Sequence, residues 1–290
     1  MNIKQMAVIG AGIMGSGIAQ VAAQNNINVY IIDTNNKSLI ISKNKIKFSL
    51  SRLVKKKIMV EEEASDILSN RIKWNTSIKE VFLNNNIEFV VEAVPEVEEI
   101  KKKIIEDINK ILVLDKKIVM ATNTSSISIT KLASFYKNPA NFIGMHFMNP
   151  VPIMKLVEII PGLQTDKNTI QLVEKIANKM QKDTIISMDR AGFIANRVFM
   201  PMINEAFFAL MENLGSAEDI DKTMRLGFNH PMGPLALADF IGLDTCLHVL
   251  YVLHKELGDD KYRACPLLKQ YVNAGWVGRK SGRGVYIYNK

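Results

Sequence analysis

The chain has 290 residues, a formal net charge of +8, 48% hydrophobic residues and 23% charged residues. This length suits one large domain or two ordinary ones, and the composition is that of a folded globular protein. No apolar run is long enough to cross a membrane and the N-terminus lacks a signal pattern, so we expect a cytoplasmic protein. Cys246 and Cys265 are too few for a disulfide framework and lack metal-site spacing, which predicts reduced thiols and no metal.

Short β-type runs alternate with helical patterns through the first two thirds of the chain. The predicted strands are residues 6–9, 29–33, 89–92, 118–121, 142–146, 155–160 and 184–188. This alternation predicts an α/β domain with a mostly parallel sheet and helices on both faces. Long helical patterns then dominate, over residues 193–212, 217–226 and 235–256. We therefore predict an α/β domain over residues 1–189 and a smaller all-α domain over residues 190–290.

A basic segment follows the second predicted strand. Apolar residues accompany it at roughly helical spacing, so it is either the solvated face of an amphipathic helix or a surface that attracts an anionic small molecule. Nucleic acid is a weaker candidate, because the basic residues are not interleaved with a series of aromatic residues for base stacking. The basic residues are Lys43, Lys45, Lys47, Arg52, Lys55, Lys56 and Lys57, and the apolar ones are Ile40, Ile41, Ile46, Phe48, Leu50, Leu53 and Val54.

A glycine-rich motif, Gly10-Ala11-Gly12-Ile13-Met14-Gly15, follows the first predicted strand and opens a helix of small residues. In a unit of about 30 residues, this G-x-G-x-x-G pattern is typical of a Rossmann-type dinucleotide site. Gly10 permits the tight turn, Gly12 lets the backbone approach a pyrophosphate, and Gly15 lets helix and strand pack closely. The N–H groups at the start of the helix would then face the phosphates.

Asp33 ends the second strand of this unit. Its carboxylate can accept a hydrogen bond from a ribose 2′-hydroxyl and would repel a 2′-phosphate, which favours NAD over NADP. Lys37 is the nearest basic residue that could pair with such a phosphate. A flavin is less expected because flavin proteins usually need a longer chain, and a glycine turn without a ligand is the remaining alternative.

Polar residues follow two later strands of the predicted sheet. Residues 123–126 come after one strand and residues 146–150 after the next, at the edge where α/β sheets bind ligands. His146 could take the hydroxyl proton of an alcohol during hydride transfer. Glu158 could bond to the imidazole, fix its tautomer and stabilise the imidazolium. Position alone leaves open a structural histidine and a surface carboxylate.

Six ordered segments give the chain a specific resemblance over nearly its whole length. It resembles the L-3-hydroxyacyl-CoA dehydrogenase family, in particular the short bacterial 3-hydroxybutyryl-CoA type. The segments are residues 10–20, 123–126, 144–150, 192–197, 230–234 and 278–284.

The resemblance implies an NAD-dependent enzyme that oxidises (S)-3-hydroxyacyl-CoA, with four carbons the first candidate, to 3-ketoacyl-CoA and runs the reverse reduction. Position by position, His146 matches the family's catalytic base and Glu158 its carboxylate partner. Ser125 and Asn196 match residues that contact the reacting oxygen and position the acyl chain.

The resemblance also implies binding residues and an assembly. In this family the helical C-terminal domain forms the dimer interface and part of the substrate cleft, so a homodimer is expected. The positions that match cofactor contacts are Asn149, Glu96, Lys101 and Lys280, and those that match contacts to the CoA nucleotide are Ser49 and Lys56.

Two departures and two rival functions accompany the resemblance. Ala191 replaces a frequent Pro, and Met148 replaces a usual Phe; neither touches a proton-transfer or oxygen-binding group.

A dehydrogenase of a free β-hydroxy acid or sugar acid would use a Lys on the first helix after the domain boundary, and residues 193–212 contain none. A non-catalytic nucleotide-binding protein is disfavoured because all four residues matched to catalysis are retained.

Overall fold

The computed structural model describes residues 3–112 and 118–288. Met1 and Asn2, which belong to the N-terminus interpreted above as lacking a signal pattern, lie outside the described residues. The chain forms two compact units, Met1–Asp189 and Arg190–Lys290.

The first unit contains one eight-stranded sheet in the order β3-β2-β1-β4-β5-β6-β7-β8. Neighbouring strands pair in parallel except β6 and β7, which are antiparallel. The mostly parallel α/β architecture predicted from the sequence is therefore confirmed. The strands are β1 (Gln5–Ile9), β2 (Asn28–Ile32), β3 (Ile72–Asn75), β4 (Phe89–Glu92), β5 (Val119–Thr122), β6 (Phe142–Phe147), β7 (Leu156–Pro161) and β8 (Asp183–Ile186).

The central strands consist almost wholly of buried residues, as expected for a sheet covered on both faces. Seven of the eight strands were predicted with bounds that differ by no more than two residues. The missed strand is β3, whose sequence is Ile-Lys-Trp-Asn. It lies at the edge of the sheet and only Ile72 is fully buried, so it lacks the apolar run that identifies the central strands.

Seven α-helices belong to the described part of the first unit. Small residues let α1 pack tightly: a Cβ on Gly17 would come within 2.8 Å of Val151 Cβ. On α2 the predicted apolar face is partly wrong, because Ile40, Ile41 and Phe48 are exposed. The helices are α1 (Ile13–Gln24), α2 (Asn36–Lys55), α3 (Glu61–Asp66, followed by a π-helical turn, Ile67–Arg71), α4 (Ile78–Asn84), α5 (Glu98–Ile111), α6 (Ile129–Ala133) and α7 (Lys167–Lys179).

The second unit is helical, as predicted. The expected continuous helix over residues 235–256 is wrong: Gly242, at φ +107°, separates two helices that meet at an angle of 97°. Only glycine adopts this backbone conformation readily, so the break is encoded by one residue. The helices are α8 (Ala195–Met211), α9 (Ala217–Gly227), α10 (Pro234–Ile241), α11 (Leu243–Leu257) and α12 (Pro266–Asn273), the last of which was not predicted.

Both cysteines lie in the second unit as free, buried thiols. Burial raises the pKa of the Cys246 thiol to about 12, so this side chain acts as a small apolar group in the helical core. Within the described residues, no single helix has the length and apolar character needed to cross a membrane, although the bent pair α10–α11 meets those two criteria together.

Candidate functional site

The carboxyl ends of β1, β4, β5 and β6 lie side by side at one edge of the sheet. The segments that follow these strands contain most of the site residues predicted in the first unit. Because β7 runs antiparallel to β6, its early residues return to the same edge, and Glu158 is the direct cross-strand neighbour of His146.

The glycine-rich turn has the geometry of a phosphate cradle. Gly10 lies at φ +106°, and a Cβ there would come within 2.5 Å of the Ala93 carbonyl oxygen. A Cβ on Gly15 would overlap the carbonyl oxygen of Gly10. At Gly12, in contrast, none of the described atoms lies within 4 Å of a built Cβ. Gly10 and Gly15 are therefore required by the fold, whereas the space at Gly12 is open to a ligand, which fits a bound pyrophosphate.

Asp33 lies beside this turn at the end of β2. Its Oδ2 accepts a hydrogen bond of 2.9 Å from the Ala11 N–H, and its Oδ1 accepts one of 2.9 Å from the Asn35 N–H. The carboxylate is thus fixed next to the cradle, where it would meet the ribose attached to a bound pyrophosphate.

Glu96 organises the segment after β5. Its Oε1 accepts hydrogen bonds from the hydroxyls of Thr124 (2.6 Å) and Ser126 (2.9 Å) and from the N–H groups of Ser125 (2.8 Å) and Ser126 (2.9 Å). Burial disfavours the charged form, but the Lys101 ammonium and these hydrogen bonds outweigh it and hold the pKa of Glu96 below its ordinary value of 4.5. An ionised carboxylate therefore fixes the turn that contains Ser125.

Lys101 is almost completely buried beneath Glu96. Its ammonium donates to Glu92 Oε1 at 2.8 Å and Oε2 at 3.0 Å, and it forms an ion pair with Glu96 Oε2 at 3.3 Å. Glu92 Oε2 also accepts a 2.6 Å hydrogen bond from the Thr122 hydroxyl. Sequence reasoning identified Lys101 but missed Glu92 and Thr122; the signal was their position as the last residues of two neighbouring central strands.

His146 and Glu158 form the pair that the sequence predicted. His146 Nδ1 lies 2.7 Å from Glu158 Oε2, and the Glu158 side chain is 0% exposed. The alternative that Glu158 is a surface carboxylate is therefore wrong. Asn123 Oδ1 accepts a 2.9 Å hydrogen bond from the Phe147 N–H, which ties the Ser125 segment to the strand that contains His146. Asn123, although inside a quoted motif, was assigned no role from the sequence.

The segment after β6 contains Asn149, which is exposed. The next residues are held by Lys182, whose buried ammonium donates to the carbonyl oxygens of Val151 (2.5 Å) and Met154 (2.7 Å). Burial lowers the pKa of Lys182 from its ordinary value. Sequence reasoning also missed Lys182, because it precedes β8, far from any motif.

The two predicted contacts to the CoA nucleotide lie on α2 and at its C-terminal end. Ser49 is half-buried, and Lys56 is exposed at the helix cap. The basic residues around them are exposed, so α2 presents a positively charged surface to solvent. The role of both residues remains a prediction.

Asn196 and Lys280 belong to the second unit. Asn196 lies in the first turn of α8. The Lys280 ammonium forms an ion pair with Asp244, at 2.6 Å and 2.7 Å from its two oxygens. The roles of Asn196 and Lys280 stay predictions.

Comparisons with known proteins give a consistent result. Residues 5–190 match the family model for the NAD binding domain of 3-hydroxyacyl-CoA dehydrogenase, and residues 192–288 match the model for its C-terminal domain. The chain is 46% identical to a probable 3-hydroxybutyryl-CoA dehydrogenase of Bacillus subtilis, over 100% of this chain and 99% of that protein. It is 47% identical to a 3-hydroxybutyryl-CoA dehydrogenase of Bradyrhizobium diazoefficiens, over 99% and 96%.

Solved structures agree. A crystal structure of (S)-3-hydroxybutyryl-CoA dehydrogenase from Ralstonia eutropha matches with a TM-score of 0.93 and 45% identity, covering 100% of both chains. A structure of 3-hydroxybutyryl-CoA dehydrogenase from Escherichia coli matches with a TM-score of 0.92 and 34% identity, over 99% of this chain and 60% of that one. On sequence and fold together, the chain belongs to the 3-hydroxyacyl-CoA dehydrogenase family, whose members use a nicotinamide cofactor.

Proposed function

We propose that the chain oxidises (S)-3-hydroxyacyl-CoA thioesters, with 3-hydroxybutyryl-CoA preferred, to 3-ketoacyl-CoA and catalyses the reverse reduction. One observation carries the proposal: a buried His–Glu pair, 2.7 Å from Nδ1 to Oε2, at the sheet edge that also holds the glycine-rich cradle. The full-length relatives named as 3-hydroxybutyryl-CoA dehydrogenases support the choice of substrate.

His146 is the proposed acid and base. A carboxylate only accepts hydrogen bonds, so Nδ1 donates to Glu158 and the neutral imidazole has its lone pair at Nε2. In the oxidative direction Nε2 takes the proton of the 3-hydroxyl while the C3–H bond breaks. The hydrogen leaves with its electron pair as a hydride, for which the oxidised nicotinamide cofactor would be the acceptor. Glu158 stabilises the imidazolium that results. In the reverse direction the same nitrogen returns the proton to the new alkoxide.

Ser125 is proposed to orient the reacting oxygen. Its backbone is fixed by the hydrogen bond from its N–H to Glu96, and the neighbouring Asn123 bonds to the strand of His146. Ser125 and the catalytic pair are thus positioned by one connected set of contacts. Asn196 shares this role in the resemblance and stays a prediction.

The residues present fit a dinucleotide. Gly12 leaves room for the pyrophosphate, and the bound nicotinamide cofactor supplies the hydride chemistry. Asp33 would bind the 2′-hydroxyl, so we propose NAD rather than NADP. Glu96, Lys101, Asn149 and Lys280 are proposed cofactor-binding residues.

The exposed basic surface of α2 is proposed to bind the CoA nucleotide through Ser49 and Lys56. An ammonium group can pair with phosphate oxygens, and this interaction weakens with salt. We also propose a homodimer, which sedimentation of the purified protein would distinguish from a monomer.

The test is the oxidation of NADH, followed at 340 nm, with acetoacetyl-CoA. Parallel reactions replace the thioester by free acetoacetate and NADH by NADPH. We expect fast turnover only in the reaction that contains both NADH and acetoacetyl-CoA. Turnover only with the free acid would overturn the CoA assignment, and equal rates with NADPH would overturn the role of Asp33 but leave the reaction class intact.

A further inference from the structure

A buried acceptor lies at the centre of the polar contacts beneath the site. Glu92 is 1% exposed and accepts hydrogen bonds from the Val94 N–H (2.7 Å), from the Lys101 ammonium and from the Thr122 hydroxyl (2.6 Å). An ionised carboxylate is stable in a protein interior only when its oxygens are satisfied in this way. Glu92 itself does not reach the surface, so any effect on the reaction passes through its partners.

Two routes lead from Glu92 to the same turn. In the first route, Glu92 binds the Lys101 ammonium, which lies 3.3 Å from Glu96 Oε2. Glu96 Oε1 in turn accepts a hydrogen bond from the Ser125 N–H. In the second route, Glu92 binds the hydroxyl of Thr122, its direct cross-strand neighbour. The Thr122 Oγ1 accepts a hydrogen bond of 3.3 Å from the Thr124 N–H. Glu92 is thus linked by two routes to the N–H groups of two adjacent residues of this turn, Thr124 and Ser125.

We propose that Glu92 is a positioning residue, which acts through Lys101 and Thr122 to fix the turn that presents Ser125 to the reacting oxygen. The inference rests on the proposed function for its catalytic part. No family motif singled out Glu92 or Thr122.

Thr122→Val tests the Thr122 route with little change of shape. Valine lacks the hydroxyl that donates to Glu92 and accepts from Thr124. Thr122→Ser is the matched control, because it keeps the hydroxyl and loses only a methyl group. Amide hydrogen exchange over residues 122–127, measured without substrate, reports the order of the turn. Steady-state kinetics with acetoacetyl-CoA and NADH report its effect on turnover.

For Thr122→Val we expect amide exchange of the turn to accelerate about 10-fold and kcat to fall about 10-fold, because both hydrogen bonds of the Thr122 hydroxyl are lost. The KM for the thioester should change little, since the turn acts on the reacting oxygen. Thr122→Ser should restore both exchange and kcat. A purely structural role would lower the unfolding temperature but leave kcat per folded molecule unchanged.

Lys101→Met tests the other route through pH. The ammonium that lowers the pKa of Glu96 is removed, so Glu96 becomes protonated at higher pH and its bonds to the turn weaken there. We expect the acidic limb of kcat/KM to move to higher pH. Fluorescence titration with NADH separates this effect from a change in cofactor affinity.

Each outcome decides the proposal. Unchanged amide exchange in Thr122→Val would overturn it, whether or not the wild type turns over the thioester. Faster exchange with unchanged kcat would overturn the catalytic role. If Thr122→Val shows the expected faster exchange but the wild type does not turn over acetoacetyl-CoA, the proposed function is rejected. The positioning role is then rejected with it.

Discussion

Each unit contains a network centred on carboxylates, and the two networks serve different ends. In the first unit, Glu96 fixes a turn whose serine side chains are only partly buried at the site edge. In the second unit, Asp239 is 1% exposed and accepts the Val285 and Tyr286 N–H groups and the Tyr288 hydroxyl, each at 2.9 Å. The same chemistry therefore fixes a turn at the site edge in one unit and anchors the C-terminal segment in the other.

The second network also explains two of the motifs that carry the resemblance. A Cβ on Gly233 would overlap the Asp221 carboxyl group, and a Cβ on Gly284 would overlap that of Asp239. Asp221 caps α10 by accepting the N–H groups of Leu235 and Ala236. The glycines of these motifs are therefore required by close packing around buried aspartates, which is a structural reason and not a catalytic one.

The two regions should differ most in their response to loss of a buried carboxylate. Glu158→Gln should affect turnover, and Asp239→Asn should affect stability. Glutamine at 158 still accepts from Nδ1 but cannot stabilise the imidazolium by charge, so we expect kcat to fall roughly 10²-fold or more with little change in unfolding temperature. Steady-state kinetics and thermal unfolding check both values. A kcat within a few-fold of the wild type would remove Glu158 from the mechanism.

For Asp239→Asn we expect the opposite pattern. An amide nitrogen would face donors that now point at a carboxylate oxygen, so the free energy of unfolding should fall by about 1–3 kcal/mol. Chemical denaturation measures this loss, with Asp260→Asn as the control in the same unit, because the Asp260 side chain is 90% exposed. An unchanged free energy of unfolding would mean that Asp239 does not anchor the C-terminal segment.

Within the first unit, Gly12→Ala and Gly17→Ala should separate binding from packing. A Cβ at position 12 meets open space, so the fold should be retained while the dissociation constant for NADH rises about 10-fold, because the methyl group occupies pyrophosphate space. A Cβ at position 17 would press on Val151, so that variant should lose thermal stability first. Equal effects of both variants on stability and NADH binding would contradict this division.

The smallest expected effects are on the pH dependence of stability, which should have opposite signs in the two units. The pKa of Glu96 lies below 4.5, so the stability it contributes is complete above that value and is lost as pH falls through the folded pKa. Burial and the bond to Asp239 raise the pKa of Tyr288 from 10 to about 12, so its contribution is present below pH 10 and is lost as pH rises through about 12.

Hydrogen exchange at both extremes tests this contrast. Residues 123–126 should gain exchange first on the acidic side, and residues 284–288 should gain it first on the alkaline side, after correction for the intrinsic pH dependence of exchange. Loosening of both segments at the same extreme would contradict the assignment of the two networks.

The sequence predicted the sheet and the glycine-rich turn because each depends on a local pattern. The His146–Glu158 pair has no such pattern, and its assignment came from the family resemblance. Continuous apolar runs mark the central strands, and Gly10 and Gly15 mark positions where a Cβ would collide. It did not reveal the roles of Glu92, Thr122 or Lys182, because buried polar contacts join residues that are distant in sequence and have no pattern of their own. It missed the break at Gly242 because the apolar periodicity on either side reads as one helix.

The most direct test of the account is a single-turnover measurement of NADH oxidation after mixing with acetoacetyl-CoA, in the wild type and in His146→Ala. If His146 transfers the proton, the chemical step should slow by roughly 10²–10⁴-fold while the binding of NADH and of the thioester stays within a few-fold of the wild type. A variant that oxidises bound NADH at nearly the wild-type rate would contradict the assignment of His146 as the acid and base.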